Sequence, residues 1–386
     1  MIPGRPLTSR TLIAALLAAA LAACTPPPSD LLLVPTAAAV PDASPALTPT
    51  AALTATPLPA LTATLRPPRT PPPTASAAPN LTVTPTATAT PDPLAPYTID
   101  ALAARVFGES DILVRTVLNA TLPFHQYIVE YESDGIPVTA LANIPYGDGP
   151  FPVLIVLHGY IPPEEYYPGL DSRTLGDPYA LAGYAVFMPD YRGYAGAAGG
   201  PNPLRIPYAV DVLNLIESLD TLDVLDEERV GVIGHSMGGG VASYVMVLSE
   251  RVDAVVLYGS MSADQAVNWR YIGETWAPWW MELTAAQIGT PETNPQGYHD
   301  ISPIHYLDRV RAPVQIHHGD HDDQVPVEWS RDLAERLAAA GVEVTYYEYP
   351  FAGHTFTGRE RELLLERTLA FFDEHVRGDD PAHAAD

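Results

Sequence analysis

Residues 229–240 read RVGVIGHSMGGG. Val230–Ile233 is a short, β-branched apolar run of the kind that fills a buried strand, and Gly239–Leu248 has the composition of a buried helix. Between them stands Gly234-His235-Ser236-Met237-Gly238. A G-x-S-x-G segment with a strand before it and a helix after it has the context of a nucleophile elbow. Glycine at 234 and 238 lets neighbouring backbone approach where a Cβ would clash. The turn lifts the Ser236 hydroxyl above the carboxyl edge of the sheet, at a helix N-terminus.

The flanking sequence repeats the rhythm. Apolar runs at Val153–Leu157, Ala185–Met188, Val230–Ile233, Ala254–Leu257, Val314–Ile316 and Val342–Tyr347 read as buried strands. Helical segments at Ala209–Ser218, Gly239–Leu248, Glu328–Ala340 and Glu360–Val376 alternate with them, and Gly341 is a C-cap signal. Residues 127–131 and 136–144 form a strand pair across Ser133-Asp134-Gly135. The alternation predicts an α/β fold with a mostly parallel sheet flanked by helices.

A serine hydroxyl is a weak nucleophile at neutral pH and needs a base, itself oriented by a third group. Behind an elbow of this kind the partners follow in the order serine, acid, histidine. His354 stands in the loop after the last strand, within PFAGHTF (350–356), and is the candidate base. His375 and His383 fall in or after the terminal helix and read as surface residues. The acid belongs after Val314–Ile316, where HHGDHDDQVP (317–326) offers Asp320, Asp322 and Asp323. The same stretch holds three histidines, so a metal-dependent hydrolase built on His317–Asp323 is a competing reading. Its spacing matches no H-E-x-x-H or facial-triad pattern, and no metal or other cofactor is expected.

GHSMGG, HGDHDDQVP and AGH, in that order, resemble the catalytic domain of prolyl oligopeptidase-type serine peptidases, within the α/β-hydrolase superfamily. PDYRG (189–193), VLDEER (224–229) and SP (302–303) ahead of APV (312–314) agree. The resemblance spans roughly residues 120–375. It implies an α/β-hydrolase fold and a Ser236–Asp322–His354 triad, with Asp323 and Asp320 as bystanders. It also implies an oxyanion hole from the Met237 N–H and the Tyr160 N–H, the latter from His158-Gly159-Tyr160. His158 and His235 flank that hole as structural residues. The expected activity is cleavage of a peptide or ester bond through an acyl-enzyme. A carboxylesterase without peptidase activity and a non-catalytic tethered binding module are the alternatives.

Residues 261–300 interrupt the strand rhythm and carry Trp269, Trp276, Trp279 and Trp280, four of the five tryptophans. They serve either as an apolar wall or lid for substrate or as packing for the insertion. The stretch 160–179 reads as a second rim loop, in which Glu164-Glu165 is a solvated pair rather than a site for a peptide N-terminus.

The rest of the chain has another texture. Arg5 and Arg10 precede an apolar run, Leu12–Ala23, too short to span a bilayer. The run ends in Leu21-Ala22-Ala23-Cys24, which resembles the lipobox of bacterial lipoproteins. Residues 1–23 are then a signal peptide and Cys24 a lipidated first residue, anchoring an extracytoplasmic protein to a bacterial membrane. Residues 24–96 hold half of the 42 prolines, less the two in the signal, and lack apolar periodicity. They read as a tether rich in extended polyproline II conformation, roughly 220 Å long when fully stretched. The catalytic domain is expected over 97–386. The net charge of −26 argues against nucleic acid as a partner and modestly favours neutral or cationic substrates. The single cysteine excludes an internal disulfide.

Overall fold

The computed structural model describes residues 92–378 except 109, 120 and 121. The expected signal segment, Cys24 and the tether up to residue 91 lie outside the described residues, as does His383. Packing begins slightly earlier than the texture of the sequence suggests: Leu94 is already fully buried.

Nine strands form one sheet in the order β1-β2-β3-β5-β4-β6-β7-β8-β9. They are β1 (Leu113–Asn119), β2 (Phe124–Ser133), β3 (Ile136–Pro145), β4 (Phe151–Leu157), β5 (Ala185–Pro189), β6 (Leu225–His235), β7 (Ala254–Tyr258), β8 (Val314–Gly319) and β9 (Val344–Tyr349). From β5 through β4 to β9 every neighbour is parallel, while β1, β2 and β3 add on antiparallel. The β2–β3 turn falls on Asp134-Gly135, both left-handed at φ 51° and 71°, as a two-residue hairpin of matching twist requires. Strand β1 carries no clear alternation in sequence. Its register with β2 shifts twice and Leu113, Val117 and Leu118 are exposed, so it is an irregular edge held by backbone pairing.

The helices are α1 (Ile99–Ala103), α2 (Arg173–Leu181), α3 (Pro207–Ser218), α4 (Met237–Leu248), α5 (Gln265–Thr275), α6 (Pro278–Ile288), α7 (Pro295–Asp300), α8 (Val327–Ala339) and α9 (Gly358–Phe372). Both faces of the sheet are covered, which is why its central strands are uninterrupted apolar runs. Val153, Ile155 and Leu157 join a core with Val212 of α3, Val245 of α4 and Leu337 of α8. Leu154 and Val156, pointing the other way, join Leu175 and Tyr179 of α2 and Phe372 of α9. This is the expected α/β-hydrolase architecture.

Helix α2 corrects the reading of 160–179 as loop throughout. Pro178 sits inside it and leaves the carbonyl of Thr174, four residues back, without its helical donor. The Arg361 guanidinium of α9 donates to that carbonyl at 2.6 Å, and Tyr179 and Thr368 share a 2.7 Å hydrogen bond between the same helices. Tertiary contacts with α9 thus satisfy what the proline removes.

The PDYRG segment anchors the antiparallel end. Arg192, almost fully buried, reaches Asp211 of α3 at 2.7 Å and Asp134 of the hairpin at 3.0 Å. Ser133 donates to Asp211 at 2.7 Å, and Asn214 donates to Ser133 at 3.0 Å. Burial pushes the Asp211 carboxyl up, against the pull of Arg192. Removing one partner leaves a buried charge uncompensated. Asp211→Ala is therefore expected to destabilise the fold by about 3–5 kcal/mol, measured as a lower urea midpoint at unchanged slope.

Candidate active site

Ser236 is the single residue between β6 and α4, with φ 55° and ψ −117°. A residue with a Cβ is rarely held there, and such strain persists only where the surroundings over-determine it. The surroundings are visible. The Ser236 N–H donates to the Tyr258 carbonyl at 2.9 Å, and the Ser236 carbonyl accepts from Gly240 at 3.2 Å and Met261 at 3.0 Å. The glycines permit the crossing: a Cβ at Gly234 would come 2.2 Å from the Gly238 carbonyl oxygen, and one at Gly238 would come 2.2 Å from that of Leu157.

Two loops at the same edge bring the acids and histidines. Of the three aspartates after β8, Asp323 is exposed. Asp320 accepts from the Phe351 N–H at 2.6 Å and pairs with His321 at 2.6 Å, tying two loops together. The Asp322 carboxylate is buried. Its Oδ2 lies 2.7 Å from His354 Nδ1 and 3.1 Å from His318 Nε2. Its Oδ1 accepts from the N–H groups of Gln324 and Val325, both at 2.8 Å. Burial opposes the charge, but the hydrogen bonds from His318, His354 and Val325 outweigh it and hold this carboxyl well below the usual range. His354, 6 % exposed, keeps Nε2 as the nitrogen not engaged by Asp322. His318 is a support that sequence reading did not single out.

The other histidines of the HHGDHDD cluster are engaged in hydrogen bonds. His317 contacts Tyr349 and Gln315 at 2.8 and 2.7 Å, and His318 contacts Ser330 at 2.7 Å. Burial drives the His317 ring down to about 3, so it stays neutral. His375 packs edge-on against Phe371, on the terminal turn.

Ser236 and His354 line one cavity of about 840 Å³ together with Gly159, Tyr160, Met237 and Asp171. Met237 is the first residue of α4, so its N–H has no intrahelical partner. The loop bearing Tyr160 is held by Asp171, which sequence reading missed. Asp171 has a left-handed φ of 72°, and its Oδ2 accepts from the Gly159 N–H at 2.9 Å and faces His235 Nδ1 at 3.2 Å. Burial pushes its carboxyl up, but His235 and the Gly159 N–H prevail and hold it at about 2. A depressed carboxyl contributes stability that is complete above its unfolded pKa and is lost as pH falls through the folded one. The shift from 3.8 corresponds to about 2 kcal/mol in all, of which about 1 kcal/mol is lost by about pH 3. Between about pH 6 and pH 3, urea unfolding of Asp171→Asn is expected to show a decline smaller than wild type by that amount.

His158 and His235 are both buried. His158 stacks on Tyr166 at 4.6 Å, and burial lowers its pKa. His235 stacks on Tyr258 at 4.5 Å and contacts the His354 carbonyl at 3.3 Å.

The 261–300 insertion is the helical segment α5–α7. Trp276, Trp279 and Trp280 line the cavity. Trp269 does not: it is 5 % exposed, donates to Thr284 at 2.7 Å and meets Tyr298 edge-on. Helix α5 turns that residue inward, so it packs the insertion rather than facing substrate. Glu164 and Glu165 are exposed and outside the cavity lining.

The profile of the prolyl oligopeptidase family matches residues 177–379, more than half of the chain. The chain belongs to the prolyl oligopeptidase family. This family member is 27 % identical over 288 residues to the uncharacterized peptidase YuxL of Bacillus subtilis, covering 70 % of this chain and 41 % of that one. Among solved structures, the acylaminoacyl peptidase of Pyrococcus horikoshii superposes with a TM-score of 0.54 at 19 % identity, covering 67 % of this chain and 43 % of that one. The acetyl xylan esterase of Paenibacillus sp. R4 superposes with a TM-score of 0.56 at 19 % identity, covering 72 % and 92 %. The chain spans about two fifths of the length of YuxL and of the acylaminoacyl peptidase. Peptidases and esterases both stand among its relatives.

Proposed function

We propose that this enzyme cleaves a carboxylic ester or peptide bond by acyl transfer through Ser236, His354 and Asp322. The observation that carries the reading is the strained Ser236 in one cavity with a His354 whose Nδ1 is held at 2.7 Å by a buried carboxylate. With Nδ1–H directed at Asp322, His354 Nε2 is the acceptor for the Ser236 proton. Ser236 Oγ bonds to the substrate carbonyl carbon, and the oxyanion draws on the N–H groups of Met237 and Tyr160. The bond to the leaving alcohol or amine breaks as His354 returns the proton to it. Water, deprotonated by the same nitrogen, then hydrolyses the acyl-serine. Preorganised donors of the oxyanion kind are each worth about 3–4 kcal/mol of barrier. Trp276, Trp279 and Trp280 offer an apolar, stacking surface for the group next to the scissile bond.

The test is a parallel measurement on p-nitrophenyl acyl esters and on proline- and alanine-linked peptide anilides, with the full chain and Ser236→Ala as the blank. Turnover of esters alone assigns a carboxylesterase, and turnover of anilides assigns a peptidase. Absence of both, together with no labelling by a fluorophosphonate probe, overturns the reading in favour of a non-catalytic module. Serine-dependent activity that persists in a chelator removes the metal-dependent alternative.

We propose further that the hydrolase domain follows a signal peptide (1–23) and a Pro-rich tether (24–96), with lipidated Cys24 as its extracytoplasmic membrane anchor. The support is the Leu21-Ala22-Ala23-Cys24 sequence. Retention of Cys24→Ser in the membrane fraction would overturn it.

A further inference from the structure

One arginine lines the cavity that holds Ser236. Arg205 lies on the loop between β5 and α3, and both it and Leu204 have left-handed backbone, at φ 63° and 50°. Two consecutive residues with a Cβ in that region are energetically unfavourable, and such strain gathers where a ligand is gripped. Here it seats Leu204 in the core, at 7 % exposure, while the half-buried Arg205 borders the cavity. The guanidinium stacks 4.7 Å from the centre of the ring of Tyr160, the residue whose N–H is the proposed second oxyanion donor. Arg205 also borders a small recess shared with Met237, Met261 and Trp280. It therefore stands between the oxyanion side of the site and the tryptophan wall.

Its lack of a carboxylate partner carries the argument. The chain has 46 acidic residues and 20 basic ones, and most buried or half-buried arginines elsewhere are paired with a carboxylate, the exceptions being Arg361, which donates to the Thr174 carbonyl, and Arg367, which stacks on Tyr347 and Tyr349 away from the cavity. Arg192 has Asp211, Arg173 has Asp177, and Arg251 has Glu217. Among the described residues, no carboxylate lies within ion-pair distance of Arg205. The other charged group of the cavity, Asp171, already engages Gly159 and His235. A planar guanidinium held by stacking, with its donor edge free, is the geometry that takes a carboxylate through paired hydrogen bonds.

We propose that Arg205 recognises an anion, and that the preferred substrates of this site carry a carboxylate a few atoms from the scissile carbonyl. The proposal rests on the serine hydrolase reading and deepens it. It also reverses, locally, what the net charge suggests: the surface at large repels an anionic substrate, and one arginine inside the cleft selects it.

The test compares two esters with acyl chains of equal carbon length, mono-p-nitrophenyl glutarate and p-nitrophenyl pentanoate, on the full chain. The wild type is expected to favour the glutarate. Arg205→Gln is expected to lower the ratio of the two kcat/KM values 10- to 100-fold, and Arg205→Lys to restore part of it. An equal loss on both esters, or no wild-type preference for the carboxylate, overturns the proposal. A second readout does not need turnover. Glutarate binding to Ser236→Ala is followed by tryptophan fluorescence, with Trp276, Trp279 and Trp280 as reporters. A tenfold or larger rise in Kd on adding Arg205→Gln supports the site, and an unchanged Kd overturns it. Failure of wild-type turnover with the Kd response intact would count against the hydrolase reading alone.

Discussion

Ser236→Ala is expected to lower kcat on any substrate by roughly 10⁵- to 10⁶-fold, the cost of losing a nucleophile that acts as a unit with its base. The residue occupies a backbone conformation, φ 55° and ψ −117°, that serves no purpose for a residue merely linking a strand to a helix. Glycine would adopt it without penalty. Strain of this kind costs of order 1–3 kcal/mol, so Ser236→Gly should raise the unfolding free energy by about 1 kcal/mol while abolishing turnover. The pair of variants separates the two roles. Alanine keeps the strain and removes the hydroxyl, whereas glycine removes both. Steady-state rates and urea midpoints on the same samples check it. A Ser236→Ala variant within tenfold of wild type would end the nucleophile assignment.

The features legible in the sequence are those with short-range physical causes. The elbow announces itself because two glycines are needed where backbone passes 2.2 Å from a would-be Cβ. The central strands are legible because burial on both faces makes them continuous apolar runs. Asp322 and His354 were placed by resemblance and loop order, and the two side chains stand 2.7 Å apart. What escaped reading depends on the third dimension. Asp171 sits among ordinary turn residues, and only the approach of Gly159 and His235 gives it a task. Helix α2 contains a proline that local propensity reads as a break, and the Arg361 side chain that compensates lies far along the chain. Trp269 and Trp276 look alike as composition, but their positions along α5 and at its end place one in the core and the other, 49 % exposed, at the cavity. Arg205 had no signal, since its significance is the absence of a partner.

Asp322→Asn is expected to lower kcat by about 10⁴-fold with little change in fold, and the reason is the number of donors around the carboxylate. Four converge on it: the N–H groups of Gln324 and Val325 on Oδ1, and His354 Nδ1 and His318 Nε2 on Oδ2. A carboxylate can accept them all, but an amide has one oxygen and an NH₂ that only donates. The backbone N–H pair cannot turn away, so it holds the amide oxygen and the NH₂ faces the imidazoles. His354 must then present Nδ1 as an acceptor and carry its proton on Nε2, the nitrogen that in the proposed mechanism receives the Ser236 proton. The wrong tautomer, with the cleft intact, is the source of a loss of that size. Asp323→Asn provides the contrast. Its side chain is exposed in the same loop, and its variant should stay within about threefold of wild type, as surface substitutions do. Because Asp322 is held far below the usual carboxylate range, the wild type should keep it charged at every pH where the fold survives, so the Asn defect should not be reproduced by mild acid acting on this group. Rates for both variants, with circular dichroism to verify the fold, decide the assignment. Equal defects for Asp322→Asn and Asp323→Asn would mean that the loop, rather than the carboxylate at 2.7 Å from His354, is what catalysis requires.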